Sequence, residues 1–268
     1  MASQAPAPAP VIRFGDGELY ERTMGAWSRL AGEVFLDWLA PAPGLRWADI
    51  GCGNGAFTEL LMQRCAPAEV QGIDPSPQQL AYARARPGAA GASFTQGDAQ
   101  ALPFPDDRFD AAAMALVIFF IPDPAQGVAE MVRVVRPGGL VAAYVWDMFG
   151  GGFPFRAVQG ALRELGHVPE MPPSVEASRL PALEALWTGA GLAAVETRTI
   201  AVERDFADFD SFWAINAAMP NTARALAALP PDAAAALKAG IRGRLPPGAD
   251  GRIVYSARAN AIRGRVPG

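Results

Sequence analysis

From residue 46 to residue 146, short apolar runs alternate with segments of helical spacing. The runs predict strands at 46–50, 69–73, 92–96, 110–117 and 140–146, and the intervening segments predict helices at 55–64, 76–85 and 124–135. Pro77 suits the first turn of its helix, where a backbone N–H is not needed. Residues 103–110, PFPDDRFD, read as a turn, and Arg136-Pro137-Gly138-Gly139 as a break. Strands alternating with helices in this way indicate a mostly parallel sheet.

The flanks follow other rules. Residues 2–10 alternate Ala and Pro, which predicts an extended or flexible tail, placed at 1–17. In 18–40, Leu19, Trp27, Leu30, Val34, Phe35, Trp38 and Leu39 recur near every third or fourth position, which predicts a helical segment closed by Pro41 and Pro43. After Asp147 the periodicity changes. Gly150-Gly151-Gly152 is a hinge-like loop, and helical spacing continues to about residue 191. Residues 192–202 alternate as a strand, 206–229 look helical with Pro220 interrupting, 232–245 are helical, and 252–259 read as a last strand. The last two strands are expected to pair antiparallel and close the sheet edge. The expected division is a helical segment at 18–44, a core at 45–149, a helical cap at 150–190 and completion of the sheet at 191–268.

The chemistry concentrates at the first strand-to-helix turn, WADIGCGNGAFTELL (47–61). Gly51, Gly53 and Gly55 stand at alternate positions behind Asp49. Such a loop lets a ligand lie against the main chain where a strand gives way to a helix. The dinucleotide fingerprint is G-x-G-x-x-G, and here the third glycine comes one residue early. Asp49 is badly placed for a pyrophosphate, since like charges would meet. It suits an adenosine cofactor that carries positive charge. Asp74 ends the second strand, where a carboxylate can take both hydroxyls of a ribose. Asp98 ends the third, where it can accept from an adenine amino group while the Ala99 amide donates to a ring nitrogen. Each acid alone is also an ordinary helix cap or turn residue. Together they point into one crevice at the carboxyl edge of the sheet.

Composition narrows the partners. The chain has 268 residues, 51% hydrophobic and 19% charged, with a net charge of −4, so it can bury a substantial core and makes a poor nucleic-acid ligand. Cys52 and Cys65 read as free thiols of a reducing compartment, and His167 stands alone, so no metal-ligand spacing exists. Neither a signal peptide nor a stretch of 18 apolar residues is present, and a cytoplasmic protein without stable membrane insertion is expected.

The stretch 45–146 resembles class I S-adenosylmethionine-dependent methyltransferases, of the group containing the ubiquinone/menaquinone-biosynthesis and other small-molecule methyltransferases. The residues carrying the likeness are the D-x-G-C-G-x-G loop 49–55, GIDPS at 72–76, GDAQALPFPDDRFD at 97–110 and RVVRPGG at 133–139. The resemblance implies a Rossmann-like α/β fold: a mostly parallel seven-stranded sheet with helices on both faces, an antiparallel C-terminal edge strand and a helical cap after strand 5. It implies S-adenosyl-L-methionine as cofactor. The loop, with Gly51, Cys52, Gly53 and Gly55, would carry the methionine part, and Asp74 the ribose. Asp98, with Gly97 and Ala99, would hold the adenine, while Ala115 and Leu116 line the methionine side. Tyr20, Trp27 and Arg29 lie in a segment that often folds over the cofactor in this family. Pro75, Ser76 and Gln79 would flank the adenosine.

The acceptor is open. Residues 150–245 match no named activity, and a monomer or homodimer acting on a small molecule is expected. Asp147 and His167 are weak candidates for a general base. Phe119, Phe120, Trp146 and Trp213 are candidates for an apolar acceptor pocket, with core packing as the competing role of each. Two other functions compete with methyl transfer: a regulatory protein that binds S-adenosylmethionine without turnover, and a nicotinamide-dependent oxidoreductase.

Overall fold

The computed structural model describes residues 21–268, so the expected tail and Tyr20 lie outside the described residues. Seven strands form one sheet: β1 (Arg46–Ile50), β2 (Glu69–Asp74), β3 (Ser93–Gln96), β4 (Phe109–Ala115), β5 (Val135–Trp146), β6 (Ala193–Phe206) and β7 (Ile253–Arg265). Their order is β3-β2-β1-β4-β5-β7-β6. The pairs among β1 to β5 are parallel, and β7 is antiparallel to both β5 and β6. The C-terminal strand is therefore the antiparallel one, but it lies inside the sheet, and β6 takes the edge.

Side chains alternate between the two faces as the pleat demands. Trp47, Ala111, Ala113, Ala142 and Tyr144 face one core. Ala48, Ile50, Ala112, Met114, Val141 and Ala143 face the other. The first core is covered by α1 (Ala26–Leu39) and α2 (Ala56–Arg64), and farther along by α5 (Arg156–Glu164), α7 (Phe209–Ala217) and α9 (Pro231–Arg244). The second is covered by α4 (Pro124–Val134) and α6 (Leu180–Gly189). The remaining helices are α3 (Pro77–Ala85), beside β2 and β3, and α8 (Pro220–Ala227).

Local chemistry explains the boundaries. In α1, Trp27, Ala31, Phe35 and Leu39 form a buried stripe at four-residue spacing. The helix stops where Ala40 turns left-handed at φ 42°, ahead of Pro41 and Pro43. Ser76 caps α3, its Oγ accepting from the Gln79 N–H at 3.3 Å, with Pro77 next in line. Asp123 caps α4 in the same way, through the Gln126 N–H at 3.1 Å.

The segment 150–190 divides between the two faces. α5 joins the α1 side, whereas α6 is a layer helix of the opposite side. Trp187 of α6 is fully buried, and its Nε1 donates to the Val141 carbonyl at 3.1 Å. Burying a side chain of this size contributes roughly 1.5–3 kcal/mol, enough to hold α6 against the sheet.

Two arginine clusters brace the amino ends of the central strands. Arg133 of α4 donates to the carbonyls of Phe104 and Leu102 and to Asp106, while Glu130 accepts from the Leu102 N–H at 2.7 Å. This clamp makes PFPDDRFD an ordered strap and sets where Asp98–Gln100 emerge. At the same amino ends of the strands, Asp110 accepts from the Arg46 N–H at 2.8 Å, from its Nε at 3.0 Å and from Arg136 Nε at 2.6 Å, joining β1, β4 and β5.

The hydrogen bonds from Arg46 hold the Asp110 carboxyl well below the usual carboxylate range. A carboxyl lowered in the folded state adds stability above its unfolded value, near pH 4, and loses it as pH falls toward the folded value. Asp110→Asn should therefore cost about 1–2 kcal/mol at neutral pH, the gap to the parent narrowing below about pH 4. Urea melts across that range measure it, and a gap independent of pH would remove the ionic assignment.

Candidate functional site

The strand order reverses between β1 and β4, and the carboxyl ends of β1 to β4 meet there. A cavity of about 970 Å³ opens at that edge. Its floor is the loop that leaves β1. Gly51 turns at φ +72°, and a Cβ there would lie 2.5 Å from Val117 Cγ1. Its N–H and that of Cys52 both donate to the Ile73 carbonyl, at 2.7 and 2.9 Å. Gly53 turns at φ +52° with nothing within 4 Å of a would-be Cβ, so its bare face opens on the cavity. Gly55 serves packing instead: it precedes α2, and a Cβ would meet Ala83 of α3 at 3.0 Å.

Three acids stand around this floor. Asp49 is fully buried, and its Oδ2 accepts from the Thr58 hydroxyl at 2.5 Å. Its Oδ1 has no hydrogen-bond partner among the described residues. Burial pushes the Asp49 carboxyl up to about 7, against the lowering bond from Thr58. Asp74 bridges the loop to the next turn: its Oδ2 accepts from the Gly53 N–H at 2.9 Å and its Oδ1 from the Ser76 N–H at 2.8 Å. Burial raises this carboxyl too. Each oxygen keeps a lone pair for a further donor. Asp98 is more exposed, with Oδ1 accepting from the Gln100 N–H at 2.9 Å. Burial pushes the Cys52 thiol far up, which keeps it neutral.

Arg29, Asp49, Gly51, Cys52, Gly53, Asp74, Pro75, Ser76, Gln79, Gly97, Asp98, Ala99, Ala115 and Leu116 all line the cavity, as does Phe120. Other candidates stand elsewhere. Trp27 is 1% exposed and packs against Phe206 and Tyr255, each ring centroid 6.4 Å away. Phe119 is buried in the core on the α4 side, and Trp146 in the core on the α1 side. Trp213 lies on α7, its ring stacked on Phe209 at 6.4 Å with the Lys238 ammonium 5.6 Å from its centroid. Asp147 is a turn residue after β5: its Oδ1 accepts from the Gly150 N–H at 2.7 Å, and Arg258 approaches Oδ2 at 3.5 Å. His167 lies just past the end of α5, where its N–H donates to the Leu162 carbonyl at 3.0 Å. Neither Asp147 nor His167 reaches the cavity, so neither is placed to act as its base.

Several lining residues had no motif to announce them. Phe57 and Leu60 belong to the first turns of α2, whose side chains lean back toward its N-terminus and the cavity. Tyr144 precedes Trp146 by one strand period and shares its face. It lines the cavity beside Ser28 of α1. A further cluster clasps the rim: Asn54 Nδ2 donates to Glu21 at 2.6 Å, and Arg86 binds Glu21, Glu59 and the Asn54 carbonyl.

The cavity is thus floored by glycines and rimmed by acids at three successive strand ends. Comparison with known proteins matches the core of the fold. A family model described as a methyltransferase domain matches residues 48–143. The chain is similar to 2-methyl-6-phytyl-1,4-hydroquinone methyltransferase 2 of rice (Oryza sativa subsp. japonica), with 42% identity over 96 residues, 36% of this chain and 28% of that protein. It is similar to the demethylmenaquinone methyltransferase of Deinococcus radiodurans, with 41% identity over 115 residues, 42% of this chain and 46% of that protein. The chain thus spans less than half the length of these curated relatives. Among solved structures, the YcgJ protein of Bacillus subtilis shares the fold with a TM-score of 0.58 at 20% identity, covering 89% of this chain and 98% of that one.

The glycines separate fold from ligand. Gly51→Ala combines a left-handed φ with a collision against Val117 and should cost about 3 kcal/mol. Gly53→Ala carries only the backbone strain and should cost about 1 kcal/mol. Thermal melts of the two variants test this, and equal losses would mean that Val117 yields.

Proposed function

We propose that this protein transfers a methyl group from S-adenosyl-L-methionine to a small-molecule acceptor. The observation that carries the reading is the orphaned Oδ1 of Asp49, a buried carboxylate oxygen on the wall of a glycine-floored cavity. A buried anion of this kind needs a cation or a donor. The amino-acid end of S-adenosylmethionine supplies an ammonium, and its far end supplies ribose hydroxyls for Asp74 and an adenine amino group for Asp98. A pyrophosphate would instead face Asp49 and Asp74, which disfavours the nicotinamide reading.

Bound there, S-adenosylmethionine supplies an activated methyl group on a sulfonium. What remains for the chain is to orient an acceptor and exclude water. Phe57, Leu60, Leu116, Phe120, Ile121 and Tyr144 give the cavity the apolar wall this requires. The single histidine of the chain is away from the cavity, so an acceptor that ionises without a strong base fits best. Relatives named for methylating a hydroquinone and demethylmenaquinone support a small organic acceptor. No helix of the described residues is long and apolar enough to cross a membrane. We read the protein as cytoplasmic, a monomer or homodimer, and without a nucleic-acid partner. The competing regulatory reading keeps the same cofactor site and lacks turnover.

Calorimetry with S-adenosylmethionine and its demethylated product tests the proposal. Both should bind, and Asp74→Ala should weaken each about 10- to 100-fold with the circular dichroism spectrum retained. Absence of binding by folded protein would overturn the cofactor assignment, and unchanged affinity of the variant would overturn the role of Asp74. A methyl-transfer screen over a metabolite panel separates turnover from binding alone. His167→Ala should leave turnover within a few-fold of the parent.

A further inference from the structure

Asp49 is held by one residue. Thr58, fully buried on α2, donates its hydroxyl to Oδ2 and leaves Oδ1 as the carboxylate oxygen without a partner among the described residues. The spacing is a consequence of the turn, since Asp49 ends β1 and Thr58 lies in the first turn of α2, nine residues on. The titratable groups facing Asp49 are Asp74, across the loop, and the Cys52 thiol. Neither brings a positive charge: Asp74 raises the Asp49 carboxyl further, and the thiol is neutral. Without a ligand, then, the only groups among the described residues that favour the charged form of Asp49 are the Thr58 hydroxyl and, to a lesser degree, its backbone N–H.

We propose that Thr58 is the positioning residue of the cofactor site: its hydroxyl aims Asp49 so that Oδ1 captures the ligand's ammonium, and capture expels the last proton from that carboxyl. The inference rests on the reading that S-adenosylmethionine, or its product, occupies the cavity. The proton balance is simple. A neutral Asp49 gives its proton to solvent, and the ammonium keeps its own, so one ion pair forms and one proton is released.

The sign follows from the carboxyl's position near 7 in the unliganded protein. Affinity should rise as pH rises through that value, by up to about tenfold per pH unit below it. Above about pH 8 it should fall again as the ligand's own α-amino group loses its proton. Removing the Thr58 hydroxyl removes a bond that lowers the carboxyl, so the rising limb should move to higher pH, by about one unit.

The test is titration calorimetry of the full chain with S-adenosylhomocysteine between pH 5.5 and about 9, in two buffers of different ionisation enthalpy. The parent should release a proton below neutrality. Thr58→Val should shift only the rising limb, and Thr58→Ser should restore it. Asp49→Asn should abolish the limb, which keeps the test usable if the valine variant fails to fold. 5′-Methylthioadenosine, with no amino-acid end, should bind without that limb. A flat acid profile in the parent, or a Thr58→Val profile weakened equally at every pH, would overturn the positioning role while leaving the cofactor reading intact. Failure of either ligand to bind at any pH would instead overturn the cofactor reading.

Discussion

The backbone at position 51 must turn left-handed with no side chain, because the isopropyl group of Val117 fills the space a Cβ would need. The site follows from that constraint. The turn aims the N–H groups of Gly51 and Cys52 at the Ile73 carbonyl, which ties the end of β1 to the end of β2. That tie brings the Gly53 N–H to Asp74, and Asp74 in turn holds the Ser76 N–H that starts the cap of α3. A single backbone conformation thus sets the cavity floor, the Asp74 carboxylate and the entry of the next helix. Val117 itself follows Leu116, another left-handed residue, at φ 63°, whose N–H is held by the Tyr144 carbonyl at 2.8 Å. The end of β4 is therefore shaped against the loop after β1, and neither forms its observed geometry alone.

Charge gives this frame its selectivity. Two buried or half-buried carboxylates, Asp49 and Asp74, sit near one another, and burial works against the ionised form of both. In a protein chosen only for stability such a pair would be matched by an arginine, as Asp110 is by Arg46 and Arg136 at the opposite edge. The contrast between the two edges is informative. The amino edge closes its charges among themselves and is structural, whereas the carboxyl edge holds two carboxyls that no arginine or lysine of the described residues matches.

The core was readable because its signals are local. Strands 46–50 and 69–74 are bounded by turn residues, and a cap with proline starts α3 and α4 in the chain as in the fold. The acids at strand ends are readable for the same reason, since a parallel sheet brings its carboxyl ends to one edge. What resisted was set by tertiary context. β7 extends to Arg265, beyond the end that alternation suggests, because Ala257, Ala259 and Ala261 pack between strands and alanine carries little strand signal. Its arginines are not a basic tail: Arg263 pairs with Glu196, and Arg265 donates to the Gly138 carbonyl. β5 likewise begins at Val135, through the Pro-Gly-Gly break, because Gly138 and Gly139 exchange hydrogen bonds with Val266 beyond β7.

The aromatic residues show where pattern reasoning reaches its end. Tyr144 and Trp146 share one face of β5 and are nearly equal by composition and spacing, yet only Tyr144 reaches the cavity. The difference is made by what covers each one. α1 stands over Tyr144, with Ser28 and Gly32 close to its hydroxyl, whereas Trp146 lies within the packed core to which α5 and α7 contribute. Those covering helices come from parts of the chain far from β5, and no strand pattern encodes their position. The glycine-floored side of the cavity is built from consecutive β-α turns and so is written locally. The far side of the cavity is built by long-range packing of α1 and of the segments after β4 and α5 that supply Phe120 and Pro173, contacts that no motif encodes.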